Sequence, residues 1–438
     1  MKILIVGSGG REHALAWRLK RSPRLSEMWV AGGNAGTGQL ATTVAVSPED
    51  VPAVVKLAKK LEADLVVVGP EQPLVDGLVG RLEEAGIAAF GPTQSAARIE
   101  ASKSFARQVM WDAGVPGPEY RVFHEQSAAI DFLTKHASPV VIKADGLAAG
   151  KGVALCKDPE EAVLAVKGCM EDRIFGSAGD AIVVEEWLYG TEVSVFAFSD
   201  GETLSAPVAA CDYKQVYDGD QGPNTGGMGS FAPPPFWDVN LAAEITHTIL
   251  MPTVERMAEL GCPYRGVLYA GIILTANGPR VLEFNCRFGD PETQVIMPLL
   301  ESDPVDAMLA CVEGSLSETP VCWGSRPHVG VVMVSGGYPG AYETGKEISG
   351  LDPGCGRARG GDLESDTLVF HAGTANADGG SGTRVVTSGG RVLTVVGSED
   401  TIEEARAAAY RKVETIEFEN ARYRSDIGDL SVGSRGRI

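Results

Sequence analysis

No stretch of the chain is basic, no two cysteines are spaced C-x-x-C, and no apolar run reaches the ~18 residues of a membrane span. Each absence removes a class of function. With a net charge of −20 and no basic patch, nucleic acid is excluded as a partner, because counterion release needs clustered lysine and arginine. The eight cysteines are scattered, so neither a zinc site nor a disulfide framework is expected; they read as reduced thiols of a cytoplasmic protein. Lys2–Val6 enters a strand at once, so neither a targeting segment nor a membrane partner is expected. No tandem repeat occurs at a fixed period. An anionic substrate must therefore be held by local donors and a metal, against an unfavourable global field.

What is present is ordinary for a soluble globular protein: 438 residues, 44% hydrophobic and 22% charged, enough for roughly two to four domains. The first hundred residues alternate strands, glycine turns and helices. Lys2–Val6 leads to Gly7-Ser8-Gly9-Gly10-Arg11 and a helix over about 12–20. Leu65–Val68 leads to Gly69-Pro70-Glu71, and Ile87–Phe90 to Gly91-Pro92. With a helix over Val51–Leu61 this is a βαβ pattern with a parallel sheet, whose ligands sit at the carboxyl ends of strands. The first turn nearly fits the dinucleotide fingerprint, but Glu12 replaces its third glycine and no acid follows the second strand to take a ribose. It reads either as a site for a small phosphate or as a structural turn.

After Pro92 the character changes. Ser102 can cap a helix to about Ala113 that carries Lys103 in its first turn, where a cation opposes the helix dipole. Between the strands Val140–Lys143 and Ala181–Val184 lies a glycine loop with Gly146, Gly150, Lys151 and Gly152. It fails the Walker A spacing, and it suits a flap whose amides and lysine lie over a triphosphate. Glu185-Glu186-Trp187-Leu188 offers amides and apolar side chains to a purine, with Glu192 near for ribose hydroxyls; an ordinary edge strand is the alternative. Asp212-Tyr213-Lys214 precedes Gly222–Gly229, a long polar glycine loop with almost nothing to bury. Helices over 241–260, a strand over 266–274 and a helix over 304–313 follow. From His328 the composition shifts to three strands and a helix over 401–416, with no catalytic constellation, and the tail after Gly428 is polar and glycine-rich.

The chemistry concentrates in Val281–Glu292. Glu283 and Asn285 stand two apart on one strand face, a carboxylate and an amide oxygen suited to Mg2+. Arg287 joins that face if the strand continues, and Asp290-Pro291-Glu292 then ends it. The alternative is an amphipathic strand with a wet face.

Taken together, Gly9–His13, the 143–153 loop, Gly222–Gly229 and Arg287-Phe288-Gly289-Asp290-Pro291-Glu292-Thr293-Gln294 resemble the phosphoribosylamine–glycine ligase family of the ATP-grasp superfamily. The resemblance covers nearly the whole chain. It implies an α/β protein: an N-terminal parallel-sheet domain (1–100), an ATP-grasp core (101–327) with a flap subdomain (about 119–188), a C-terminal α+β domain (328–428) and a tail (429–438). It further implies that ATP, glycine and 5-phosphoribosylamine give glycinamide ribonucleotide, ADP and phosphate, in a cytoplasmic monomer using Mg2+ or Mn2+. By that pattern Lys103, Lys143, Gly146, Gly150, Lys151 and Gly152 hold the ATP phosphates. Glu185, Trp187 and Leu188 hold adenine, and Glu192 takes the ribose. Glu283 and Asn285 would ligate the metal, and Arg287, Asp212 and Lys214 are the candidate catalytic groups. Gly9, Gly10 and Arg11 are expected to bind the amine substrate's phosphate, and Asp212 with Asn224, Thr225, Gly226 and Gly227 to bind glycine; Arg287 and Asp290 complete the substrate set. Many ATP-grasp enzymes place a further metal-binding acid on the preceding strand, and Gly266–Ile272 offers none. A related carboxylate–amine ligase, a dinucleotide oxidoreductase and a non-catalytic nucleotide binder are the rivals. The Asp290-Pro291-Glu292 signature, the missing third glycine and the Glu283–Asn285 pair respectively disfavour them.

Overall fold

The computed structural model describes residues 1–136, 139–148, 152–351, 366–377 and 384–431. The N-terminal strands β1 (Lys2–Gly7), β2 (Glu27–Gly32), β3 (Thr42–Val44), β4 (Leu65–Val68) and β5 (Ala88–Phe90) form one parallel sheet, ordered β3-β2-β1-β4-β5. Ile3, Leu4, Ile5 and Val6 are all fully buried because helices cover both faces. The first helix begins at Gly10, two residues before the expected start. The helix Val51–Leu61 matches the expectation, with Asp50 capping it through Ala53. Ser102 caps Lys103–Ala113 by accepting from the Phe105 amide.

A second, antiparallel sheet consists of β6 (Tyr120–Phe123), β7 (Val140–Ala144), β8 (Val153–Cys156) and β9 (Ile182–Glu186), ordered β6-β9-β7-β8. Ala129, Ile142, Val166 and Ile182 give it a small core of its own. The glycine loop does join two neighbouring strands, β7 and β8.

The largest sheet collects β10 (Thr191–Asp200), β11 (Val208–Asp212), β14 (Gly229–Ala232), β15 (Arg265–Thr275), β16 (Gly278–Asn285), β17 (His328–Val334), β18 (Thr367–His371) and β21 (Arg391–Ser398). Its order is β16-β15-β10-β11-β14-β17-β21-β18, so the C-terminal strands continue the core sheet through the β14–β17 pair. Two short hairpin-like pairs complete the strands: β12 (Gln215–Tyr217) with β13 (Gln221–Asn224), and β19 (Thr374–Asn376) with β20 (Val385–Thr387).

Three expectations need correction. The polar segment before Gly229 is not bare loop, since β12 and β13 pair within it and Met228 is buried. The strand carrying Glu283 stops at Asn285, because the Cys286 amide leaves the ladder to donate to Glu100 Oε2 (2.7 Å); Asp290-Pro291-Glu292 therefore starts a helix (Glu292–Ile296) rather than ending a strand. The helical stretch over 241–260 runs from Val239 to Glu259 with a π-helical turn at Thr246–Leu250. Among the described residues no helix is long and apolar enough to cross a membrane.

The N-terminal and C-terminal regions meet at two buried histidines. The His371 amide donates to His13 Nδ1 (2.8 Å), and Phe370 packs edge-on against both His13 and Trp17. Burial pushes His13 well below its ordinary pKa and His371 down to about 4. Both are neutral in the fold, and the unfolded chain takes up their protons below about pH 6.5. Stability is therefore expected to fall as pH drops from 6.5 towards 4, by roughly 3 kcal/mol for His371 alone. His371→Asn, which retains a hydrogen-bonding atom near Thr374, should flatten that fall in urea unfolding measured across the window. Equal slopes for wild type and variant would show that burial of His371 does not govern it.

Candidate active site

Strand register builds the floor of the site. Ser194 on β10 pairs with Ala210 on one side and Gly271 on the other, and Gly271 in turn pairs with Glu283. Tyr269 pairs with Asn285, and Asp212 with Ser230. Directly paired residues share a face, and so do residues two apart. Glu192, Ser194, Asp212, Ser230, Tyr269, Glu283 and Asn285 therefore line one face. The alternate residues Val193, Val195, Ala270, Ile272 and Phe284 fill the core behind it. Gly271 leaves open the place between Ser194 and Glu283; a Cβ there would sit 3.3 Å from Glu283 Cγ.

The half-buried Glu283 carboxylate makes no hydrogen bond or ion pair among the described residues. Burial works to raise its pKa, but Lys214, Lys103, Lys143 and Arg287 outweigh burial and keep it ionised. These four cations converge from distant parts of the sequence. Lys214 is itself paired with Glu192 at 2.6 Å, and its pKa is raised because Glu192, Asp212 and Glu283 overcome its desolvation. Asn285 Oδ1 accepts from Arg287 Nη2 (3.3 Å), so Arg287 joins the pair although the strand has ended. Among the described residues no group of three or more His, Cys, Asp or Glu could hold a metal. Glu283 and Asn285 fit a Mg2+ that takes its remaining oxygens from phosphates and water.

Two carboxylates from the N-terminal region hold Arg287. Glu71 accepts from Nε (3.1 Å) and Glu100 from Nη2 (3.0 Å). Burial lifts the Glu71 pKa, but Arg287 and Arg11 bring it down to about 2; Glu100 stays raised by burial. Neither acid was a candidate from the sequence, although Glu71 follows one of the strand-to-glycine turns.

At the root of the flap subdomain Glu185 is clamped between Arg107 (2.6 Å) and Lys143 (2.8 Å). Arg107 also donates to the carbonyls of Val281 and Leu282, and Lys143 to Leu282. Desolvation depresses Lys143, while Arg107 and Lys143 hold Glu185 below its ordinary range despite burial. The Glu185 carboxylate is thus committed to bracing, and its strand is paired on both sides, so ladder-free backbone begins only at Trp187–Leu188. Trp187 is buried and stacks on Tyr189. Among the described residues Lys143 makes two bonds, which leaves its third N–H without a partner there. Asp145 caps the Lys103 helix by accepting from the Ser104 amide (2.6 Å). Gly146 packs against Ala178, and Gly152 accepts from Ala144; Gly150 and Lys151 lie outside the described residues.

The remaining substrate candidates gather around Asp290. Its Oδ2 accepts from the Arg11 amide (3.3 Å) and its Oδ1 from Gln294 (2.8 Å). The Gly9 amide is taken by Glu12 (2.6 Å), and the buried Arg11 guanidinium turns inward to Glu12 and the Phe288 carbonyl. A Cβ on Gly10 would stand 2.5 Å from the Gln294 amide nitrogen, so a side chain there would displace the end of Gln294. Across from this turn, Gly227 at φ +111° lies against Pro291, and Thr225 accepts from its amide (2.9 Å). Asn224 ends β13 opposite Gln215. Arg391, from the C-terminal strands, donates to both Gly226 O (2.5 Å) and Asp290 O (2.6 Å). Nothing in its local sequence marks it.

Family models for phosphoribosylglycinamide synthetase match the chain in three consecutive parts: the N domain over 1–100, the ATP-grasp (A) domain over 101–293 and the C domain over 328–430. The chain belongs to this family. It is 46% identical to the phosphoribosylamine–glycine ligase of Caldanaerobacter subterraneus, over 98% of this chain and 99% of that one. It is 47% identical to the trifunctional purine biosynthetic protein adenosine-3 of Gallus gallus, over 98% of this chain and 42% of that protein. The crystal structure of phosphoribosylamine–glycine ligase from Thermotoga maritima superposes with a TM-score of 0.81 at 34% identity, covering 98% and 100% of the two chains. A biotin carboxylase from Campylobacter jejuni shares the fold at 14% identity, with a TM-score of 0.72 over 99% of this chain and 95% of that one. The expected family and fold class are thus established.

The Arg107–Glu185–Lys143 cluster yields a stability prediction. Glu185→Gln leaves two buried cations against one neutral amide, and should cost about 3–5 kcal/mol. Guanidinium unfolding of the variant beside wild type measures it. A loss below 1 kcal/mol would mean that the cluster is solvated like a surface pair.

Proposed function

We propose that the chain joins glycine to 5-phosphoribosylamine, consuming ATP and releasing glycinamide ribonucleotide, ADP and phosphate through glycyl phosphate, in de novo purine synthesis. The carrying observation is the polar sheet face on which Glu283 and Asn285 stand among Lys103, Lys143, Lys214 and Arg287. Membership of an ATP-grasp family and the names of the relatives point the same way. The reading includes a cytoplasmic monomer acting on small molecules, and the described cysteines, all unpaired, fit that compartment.

A carboxylate accepts an amine only after one of its oxygens becomes a leaving group. Transfer of the γ-phosphoryl group of ATP to glycine provides it; the amine then attacks the acyl carbon, phosphate departs and the nitrogen gives up a proton. Both reactants of the first step are anions, so catalysis is positioning and charge neutralisation. Lys103, which makes no ion pair among the described residues, and the third N–H of Lys143 serve the phosphates, with Gly146, Gly150, Lys151 and Gly152 as the further candidates. Trp187 and Leu188 take the base, and Glu192 takes the ribose, with Glu185 as their brace. Mg2+ or Mn2+ on Glu283 and Asn285 would supply charge neutralisation at the phosphates. Arg287, fixed by Glu71 and Glu100, steadies the transferred group. Asp212 and Lys214 face the glycine side with the Asn224–Gly227 segment. Gly9, Gly10, Arg11 and Asp290 shape the pocket for the amine substrate, Arg11 through its backbone and its grip on Phe288.

Glu283→Gln keeps the size and removes the only anion of the metal pair. It should lower kcat about 10²–10³-fold, a loss of about 2.7–4 kcal/mol in transition-state stabilisation. Folding should change little, because no partner is left unpaired. Raising Mg2+ should restore part of the rate. ADP release from ATP, glycine and phosphoribosylamine made in situ reads this out. Near-normal turnover at ordinary Mg2+, or AMP as the stoichiometric product, would overturn the mechanism.

A further inference from the structure

Glu292 is a carboxylate that the mechanism above leaves without a role. It is 3% exposed, lies at the start of a short helix and forms no ion pair among the described residues. Only neutral hydroxyls hold it. Tyr269 donates to Oε1 at 2.8 Å, and Ser194 lies 3.3 Å from the same oxygen and 2.8 Å from the Tyr269 hydroxyl. Among the described residues its other oxygen, Oε2, has no hydrogen-bond partner, and it is not sealed from solvent. A buried carboxylate is costly unless a cation or several donors compensate it. Here the fixed cations of the site are committed elsewhere: Arg287 to Glu71 and Glu100, Arg391 to Asp290, and Lys214 to Glu192.

The position of Glu292 is defined by the same sheet face. Ser194 and Tyr269 stand beside the positions of Glu283 and Asn285, in the registers Ser194–Gly271–Glu283 and Tyr269–Asn285. The residue before Glu292 is tied to the Asp212 side, since Ser230, paired with Asp212, donates to the Pro291 carbonyl at 2.9 Å. Glu292 thus lies between the metal pair and the segment assigned to the amino acid. Burial and the surrounding acids Glu292, Asp212 and Glu283 keep the Tyr269 phenol protonated, so it donates to the carboxylate throughout the ordinary pH range.

The geometry points to Glu292 as the group that receives the ammonium of the amino-acid substrate, with Tyr269 and Ser194 positioning its carboxylate. The inference rests on the ligase reading and deepens it. Glycine then lies with its ammonium on Glu292 and its carboxylate turned towards the phosphates near Glu283. An incoming ammonium supplies the charge that no side chain supplies to this carboxylate, so an analogue with hydroxyl in place of ammonium leaves the site unbalanced.

Glu292→Gln keeps the shape and still accepts from Tyr269. It should raise KM for glycine roughly 30-fold or more, as expected when a buried hydrogen-bonded charge pair loses one charge. KM for ATP and for phosphoribosylamine should stay nearly unchanged. Glycolate, which replaces the ammonium with a hydroxyl, should compete with glycine far better in the variant than in wild type. An unchanged glycine KM, or unchanged discrimination against glycolate, overturns the assignment. Should the variant fail to fold, Tyr269→Phe retains the carboxylate and loosens it, and must raise KM for glycine but not for ATP; an unmoved glycine KM again overturns it. Wild type provides the control for the underlying reading. Absence of glycine-dependent ADP release there removes the ligase itself, whereas an active wild type with an indifferent Glu292→Gln removes only this role.

Discussion

The site depends on one constraint: an antiparallel sheet must bury both faces and still leave part of one polar enough to bind ions. Alternation makes both outcomes from the same strands. Val193, Val195, Ala270, Ile272 and Phe284 go inward, and Glu192, Ser194, Tyr269, Glu283 and Asn285 face the opposite way. A one-residue slip in β16 would exchange Glu283 for Leu282 or Phe284 and destroy core and site together. Register here is fixed by more than hydrophobic pattern. Arg107 and Lys143 bind the carbonyls of Val281 and Leu282 from outside the sheet, and Glu100 takes the Cys286 amide at the end of the strand. The Glu283–Asn285 pair is therefore held in place by charged groups on three separate elements.

Those groups also explain why the ion pairs are buried at all. A buried pair gains little net stability over an apolar replacement, but it is expensive to break, so it selects one arrangement over its near neighbours. Arg287 between Glu71 and Glu100 makes this side of the site a joint product of the N-terminal region and the core. Arg391 performs the corresponding task from the C-terminal strands, fastening Gly226 to Asp290. Each region of the chain thus places one arginine or its carboxylates at a common centre.

What the sequence revealed follows from which features are local. The Ser102 cap, the helix over 51–61, the strand–glycine turns and the Glu283–Asn285 spacing depend on neighbours within a few residues, and each appears where alternation and capping rules put it. Arg287 was recognisable as a cation near the pair, yet the reason it stays there was not, since Glu71 and Glu100 are about two hundred positions away. Glu185 is assigned to the adenine by the family resemblance, which places the base along Glu185–Leu188. Its two cationic partners come from a helix and a neighbouring strand, and only the assembled fold shows them. The Gly222–Gly229 segment misled for another reason. Glycines that read as slack are required by close packing, as Gly227 against Pro291 and Gly229 against the Gly330 carbonyl show.

The sequence after His328 shows no catalytic constellation, and the sheet order nevertheless ties that region to the site. β17 pairs directly with β14, the strand that follows the glycine segment and carries Ser230 opposite Asp212. β21 lies next to β17 and carries Arg391 at its start, so the arginine reaches back across β17 to Gly226. The hydroxyl of Tyr338, from the turn after β17, accepts from the Gly226 amide (3.0 Å). Gly226 and Gly227 have no side chains with which to fix their own conformation, and glycine has the most backbone entropy to lose. They need donors and acceptors from outside, and here the C-terminal strands provide one of each to a single residue. The segment proposed to face the amino acid is consequently shaped by strands that carry none of the residues assigned to touch it.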